Sequence, residues 1–232
     1  MEFVFDKKGM TSKYFNDIAF LCRAVSSDIT RYEMNHIYVE TENDIIYAVS
    51  TEGRILHIVQ FDKKDVPLKD GFYEVRTYTN NLIVLNKKDD ITNYVNWKQV
   101  VKQVSENICI IEKYPMYSKQ LKDKRINNYF RLLYILNNLG YCFNNFYIES
   151  LFLMDLDWDI FINPYKICEP VKFVSGNVTA VISPFSNKVF KELSVVVANG
   201  FIKLDETLQS ISDKTDLFNL ESIVRKKKSL LE

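Results

Sequence analysis

Three carboxylates alternate along Asp155-Leu-Asp-Trp-Asp159, a spacing that would put them on one face of an extended segment and invite a cation. A calcium loop, however, needs further oxygen ligands and a glycine turn inside the run, and this segment has neither. Solvated acids at a helix-to-strand turn are therefore the expected reading. The two histidines, His36 and His57, are too few for histidine-rich metal or triad chemistry. His57 falls in a strand-like run with no Ser or Cys partner suggested, so a half-buried structural role is expected. Cys22, Cys109, Cys142 and Cys168 lie far apart without a C-x-x-C pair. They read as reduced thiols of a cytosolic protein, not as a zinc site or disulfide frame. No Walker loop, G-x-G-x-x-G or H-E-x-x-H is present, and nothing supports an enzyme, a metal or a cofactor.

The remaining chemistry is charge. Lys119, Lys122, Lys124, Arg125 and Arg131 cluster with Asp123 as the acid among them, and Lys13 and Arg23 flank Asp17 further upstream. Such runs usually form a solvated helix face. Over all 232 residues, 30 basic side chains balance 30 acidic ones, so no net field attracts a polyanion and any such contact must be local. With 47% hydrophobic and 14% aromatic residues, the chain can fill a substantial core. The N-terminus carries charge within its first six residues and has no apolar signal core. No apolar run reaches membrane-spanning length. A cytoplasmic location is expected.

The elements that must position these residues follow from periodicity. Residues 2–5 suggest a strand. Ser12 offers an N-cap hydroxyl to a helix running to about Val25, with Phe15, Ile18, Ala19, Cys22 and Val25 as its apolar stripe. Three runs rich in β-branched and aromatic residues follow at 36–41, 44–50 and 54–61, separated by turns at Asn43-Asp44 and Glu52-Gly53. A further hairpin spans 71–76 and 81–86. The spacing predicts a second helix from about Lys122 to Leu139, striped by Ile126, Phe130 and Leu133 with Leu136 and Tyr129 beside them, and stopped by Gly140. A strand-like Tyr141-Cys-Phe-Asn, a short helix from Tyr147 to Leu156 and strands at 158–162, 171–174 and 178–182 complete the pattern. The expected fold class is α+β, built from two related units of helix and antiparallel sheet.

Several segments, in order, resemble the bacterial DNA polymerase III β sliding clamp. Thr51-Glu-Gly-Arg-Ile-Leu56 stands where clamps carry a turn of Thr-Asp-Gly-His-Arg-Leu character. Tyr94-Val-Asn-Trp-Lys-Gln-Val-Val101 resembles the linker Phe-Pro-Asp-Tyr-Arg-Arg-Val-Leu-Pro between clamp domains. Phe143-Asn-Asn-Phe-Tyr-Ile-Glu-Ser-Leu-Phe152 resembles the Phe-Asn-x-x-Tyr-Leu helix. Glu169-Pro-Val-Lys-Phe173 and Thr179-Ala-Val-Ile-Ser-Pro-Phe185 resemble the last strands. The resemblance implies a DNA-clamp-like fold, with one domain over 1–93, an abbreviated second over 94–185 and a C-terminal extension over 186–232.

It also implies an inter-domain pocket for a partner's peptide, lined by Thr51, Gly53, Arg54 and Leu56 on one side and Val181, Ser183, Pro184 and Phe185 on the other. An extended peptide with Leu and Phe anchors needs such an apolar slot, and a glycine in its wall permits close backbone approach. Ser183 and Lys102 stand where clamps have Met and Pro, which makes the slot more polar. The resemblance further assigns nonspecific duplex-DNA phosphate contact to Lys13, Arg23, Lys119, Lys122, Lys124, Arg125 and Arg131. It implies a polymerase processivity factor that docks a DNA polymerase or another clamp-binding protein and forms a homo-oligomer, trimeric if the ring closes. The alternative is a clamp-fold adaptor or regulator of replication proteins that does not encircle DNA. Lys214-Thr-Asp-Leu-Phe218 resembles the pentapeptide Gln-x-x-Leu-Phe by which partners dock into clamps, against a plain helix start with Leu217, Leu220 and Ile223 as its contacts. Arg225-Lys-Lys-Lys228 reads as a solvated terminus.

Overall fold

The structure, a computed structural model, describes residues 1–185 except 90, 92, 105–107, 118–127, 164–165 and 167. Residues 186–232 lie outside the described part, and with them both C-terminal motifs. The chain divides into two units, one formed by Met1–Ser105 with Lys172–Ile182, the other by Glu106–Val171 with the chain from Ser183 onward. Residues 94–104 therefore fold with the first unit, whereas the sequence suggests a junction at 93/94.

In the first unit the strands are β1 (Glu2–Asp6), β2 (His36–Glu42), β3 (Ile45–Thr51), β4 (Ile55–Asp62), β5 (Gly71–Tyr78), β6 (Leu82–Lys88), β9 (Val171–Ser175, entering at Lys172) and β10 (Val178–Ile182). They form an antiparallel sheet in the order β1-β6-β5-β2-β3-β4-β10-β9. Strand alternation sorts side chains to two faces. Phe5, Ile37, Val39, Ile46, Ala48, Ile55, Val59, Ile83 and Leu85 fill one face, which is backed by α1 (Ser12–Ala24).

Helix α1 begins at the predicted cap residue, so the cap lies one residue earlier than expected: Ser12 is the first helical residue, Thr11 is the N-cap position and no side chain caps the helix. The buried stripe is Tyr14, Phe15, Ile18, Phe20, Leu21 and Ala24, while Ala19, Cys22 and Val25 are only half-buried. Two polar side chains explain the offset. Carbonyls near a helix C-terminus need donor partners outside the helix. His57 Nδ1–H donates to the Phe20 carbonyl at 2.7 Å, and Ser50 Oγ donates to the Leu21 carbonyl at 2.7 Å. The His57 ring also stacks on Phe20, centroids 3.6 Å apart. His57 is thus fully buried, not half-buried, and desolvation pulls its pKa down to about 3, so the ring is neutral.

The second face of this sheet is covered by α2 (Trp97–Gln103), a helix where the sequence suggests only a linker. Asn96 caps it, its side-chain oxygen accepting from the Gln99 amide at 3.2 Å. Lys98 ties it to β2 through Glu40 and Glu42, both at 2.9 Å.

The second unit pairs β7 (Ile108–Met116) with β8 (Leu156–Ile162), with register shifts near Ile111. The sequence leaves β7 as a mixed segment. Its helices are α3 (Asn128–Asn138) and α4 (Asn145–Phe152), which meet where Tyr129 packs edge-on to Phe152 at 5.4 Å. The buried stripe of α3 is Tyr129, Leu132, Ile135 and Leu136. Of the predicted stripe, Tyr129 and Leu136 are buried and Leu133 is half-buried, while Ile126 and the Phe130 side chain lie outside the described part. Residues 141–144 form no strand. Tyr141 turns inward instead, its hydroxyl donating to the Asn163 carbonyl at 2.6 Å, and Asn144 caps α4 through the Phe146 amide at 3.0 Å. The acidic run behaves as hydrogen-bond acceptors: Asp157 receives Tyr117 at 2.6 Å and Asp159 receives the Lys113 amide at 2.8 Å. No cluster of metal-ligating side chains exists among the described residues. No described helix is long and apolar enough to cross a membrane.

Candidate peptide-docking face

The turn Thr51–Leu56 joins two central strands of the first unit and is closed by its own side chains. Thr51 Oγ1 donates to the Ile55 carbonyl at 2.7 Å and accepts from the Gly53 amide at 3.0 Å. Glu52 Oε1 accepts from the Arg54 amide at 3.0 Å. Gly53 has φ +98, a backbone conformation that side chains bearing a Cβ rarely adopt.

Beyond this turn, Leu56 lies directly opposite Thr51 on β3 and directly opposite Val181 on β10. The three therefore form one row across three strands, on the face away from α1. The β10 register is pinned at its start, where Asn177 Nδ2 donates to the Gln60 carbonyl and the Gln60 amide donates to the Asn177 carbonyl, both at 2.9 Å. That register places Thr179 and Val181 on this face, and Val178, Ala180 and Ile182 on the α1 face.

The row belongs to an apolar cluster of Val49, Leu56, Ile58, Trp97, Val104 and Val181, with Tyr38, Tyr47, Tyr94, Val100 and Val101 packed around it. Aromatic rings continue it across the sheet: Tyr38 stacks on Tyr94 at 5.0 Å, and Tyr47 meets Trp97 at 5.5 Å. The Tyr94 hydroxyl donates to the Val49 carbonyl at 3.5 Å, and burial holds its pKa far above the usual phenol range. Hydrogen bonds from Lys98 to Glu42 and Glu40 hold the lysine firmly charged at the edge of the cluster.

Five of the eight residues expected to line a pocket thus belong to one local site: Thr51, Gly53, Arg54, Leu56 and Val181. Ser183, Pro184 and Phe185 follow β10 directly but belong to the second unit, where the Phe185 amide donates to the Cys142 carbonyl at 2.8 Å. Gly53 and Arg54 are exposed, whereas Thr51 and Leu56 are 5% exposed and Val181 2%. The apolar part of the row is therefore covered, with α2 lying over it. Sequence reasoning missed Tyr94, Trp97, Val100 and Val104 as parts of this face. The linker-like string of residues was visible, but its helical packing on the sheet was not.

The residues assigned to DNA are less uniform than their charges suggest. Lys13 is exposed, lies over the Tyr14 ring at 4.4 Å and stands 4.0 Å from Asp65. Arg23 is half-buried and donates from Nε to the Tyr78 hydroxyl at 3.0 Å. Arg131 is half-buried on α3, its Nε without a hydrogen-bond acceptor among the described residues. Lys119, Lys122, Lys124 and Arg125 lie outside the described residues.

A helix-backed antiparallel sheet, with a second unit of helices and paired strands, defines the α+β DNA-clamp class. The chain has the bacterial sliding-clamp fold. It is similar to a putative DNA polymerase III β subunit from Eubacterium rectale, with TM-score 0.50 and 11% identity over 81% of this chain and 66% of that one. It is also similar to the DNA polymerase III β subunit of Thermotoga maritima, with TM-score 0.49 and 10% identity over 80% and 65%. The DNA polymerase sliding clamp of Pseudomonas aeruginosa gives 0.48 and 11% over 80% and 67%. The chain thus spans about two thirds of the length of these proteins. No family model and no curated protein matches the sequence itself.

Proposed function

We propose that this chain is a noncatalytic, sliding-clamp-like processivity factor that docks a partner's peptide on the Thr51–Leu56–Val181 face. The observation that carries this reading is the pairing of Leu56 with Val181, which unites two distant clamp-like segments in one apolar row. Around it lie an exposed glycine and arginine, which suit close backbone approach and a polar rim. The peptide's apolar anchors reach Leu56 and Val181 when α2 shifts, because the row is otherwise covered. Lys13 and the basic segment 119–125 supply nonspecific, salt-sensitive phosphate contact, and oligomeric closure around duplex DNA supplies persistence. The partners are a DNA polymerase or another clamp-binding protein, in the cytoplasm.

A second reading is a clamp-fold adaptor that binds replication proteins without encircling DNA. The engagement of Arg23 with Tyr78 and the partial burial of Arg131 favour it, since neither side chain is freely presented to a phosphate. Mass in solution and retention on circular primed DNA separate the two. A trimer or other closed oligomer that stays on circular DNA and falls off after linearisation supports the clamp. A strict monomer that binds a Gln-Leu-Ser-Leu-Phe peptide but not DNA supports the adaptor, and a chain that binds neither overturns both.

A further inference from the structure

We infer that Arg31 is a positioning residue for the docking face: it holds the Thr51–Leu56 turn from outside, through the backbone next to Gly53. This inference rests on the peptide-docking reading and names the residue that sets the geometry of its exposed wall. Within the turn, the polar groups already described satisfy one another, but the Glu52 carbonyl is bonded from outside it. Arg31 Nη1 donates to that carbonyl at 2.6 Å. A Cβ on Gly53 would stand 2.9 Å from the same Nη1 and 3.8 Å from Met34 Sδ. A guanidinium nitrogen therefore lies close beside the Gly53 backbone, and the φ of +98 makes any side chain there strained.

Arg31 is itself held in place. Its Nε lies 3.5 Å from Asp28 Oδ2, and its amide donates to the Asp28 carbonyl at 3.0 Å. Asp28 Oδ1 accepts from the Thr30 amide at 3.0 Å and the Thr30 hydroxyl at 2.7 Å, and Ser26 Oγ accepts from the Asp28 amide at 3.1 Å. The Met34 amide donates to the Arg31 carbonyl at 2.9 Å, and the Ser26 amide to the Met34 carbonyl at 3.0 Å. This loop between α1 and β2 is thus closed on itself and presents one guanidinium to the β3–β4 turn. The Arg31 side chain remains half exposed, so its loss lets water replace it at the Glu52 carbonyl at little cost to folding. What is lost is the fixed orientation of Glu52–Arg54, and with it the direction in which Arg54 meets a bound peptide.

The test uses the full chain and a fluorescein-labelled peptide carrying Gln-Leu-Ser-Leu-Phe, with Arg31→Met, Arg31→Lys, Arg54→Ala and the double variant R31M/R54A. Arg31→Met weakens peptide binding roughly 5-fold at unchanged thermal midpoint, Arg31→Lys restores part of it, and amide exchange at Gly53 and Arg54 accelerates. In the Arg54→Ala background, Arg31→Met has no further effect, because Arg31 acts through the turn that carries Arg54. Unchanged exchange at Gly53 and Arg54 in R31M overturns the proposal whatever the peptide does. Equal losses with and without Arg54 also overturn it, since Arg31 would then touch the peptide by itself. Wild-type protein that binds no peptide removes the docking reading, and this inference about its wall falls with it.

Discussion

Leu56 on β4 and Val181 on β10 face each other as direct antiparallel partners, each almost without exposed surface. Packing at such a site leaves a cavity when shortened. Leu56→Ala should destabilise the fold by about 2–4 kcal/mol, measured as a lowered urea midpoint at constant slope. Arg54→Ala, at an exposed position, should leave the midpoint unchanged. A tolerant Leu56→Ala would mean that the row is not a packed core.

The cover over that row predicts an optical signal. Trp97 is 8% exposed and sits on Tyr47, and the other tryptophan, Trp158, is fully buried in the second unit. In a Trp158→Phe background, adding a clamp-binding peptide should move Trp97 emission to longer wavelength as α2 lifts. Saturable binding without any change in Trp97 emission would place the peptide elsewhere.

Acid stability should show two opposed titrations. His57 is held neutral, its pKa lowered from 6.5 to about 3, so its environment is fully stabilising above pH 6.5 and loses that advantage as pH falls towards 3. Asp17 runs the other way: desolvation raises its carboxyl from 3.8 to about 6, so stability is full below 3.8 and is lost as pH rises through 6. Between about pH 4 and 6 the unfolded chain gains a proton at His57 and releases one at Asp17, which flattens the wild-type profile. Asp17→Asn should therefore make the loss of stability from pH 7 to 4.5 steeper than in wild type, read from urea midpoints. A parallel or shallower profile would contradict the assignment.

Charge reversal at Lys122, Lys124 and Arg125 should abolish retention on circular DNA and reduce the dependence of binding on salt, because phosphate contacts release counterions. Reversal at Lys13 should have a smaller effect, since Asp65 already stands beside it. Equal retention in the triple variant would remove this segment from the DNA face.

The strands of the first unit were legible because their side chains alternate between a helix-backed face and a second face. Turns such as Glu52-Gly53 marked their ends, so β2, β3, β4 and β10 fall within a residue or two of expectation. The pairing of Leu56 with Val181 was legible only through resemblance, as no local pattern joins segments so far apart. Four things were hidden. The α1 stripe was misread because His57 and Ser50 reach its terminal carbonyls and draw Phe20 and Leu21 inward. Residues 97–103 read as a linker because a helix so short has too few residues to show a period. Tyr141–Asn144 has strand-like composition, but its tyrosine is taken by a carbonyl across the unit and its asparagine caps α4. Arg31 carried no signal at all: an arginine in a loop shows its purpose only when the carbonyl it serves is in view.

The most direct test is backbone amide chemical-shift mapping of the full chain titrated with a Gln-Leu-Ser-Leu-Phe peptide. The account predicts saturable shifts concentrated at Thr51–Leu56, Trp97–Val104 and Val178–Ile182. Shifts confined to other surfaces, or none at millimolar peptide, would contradict it.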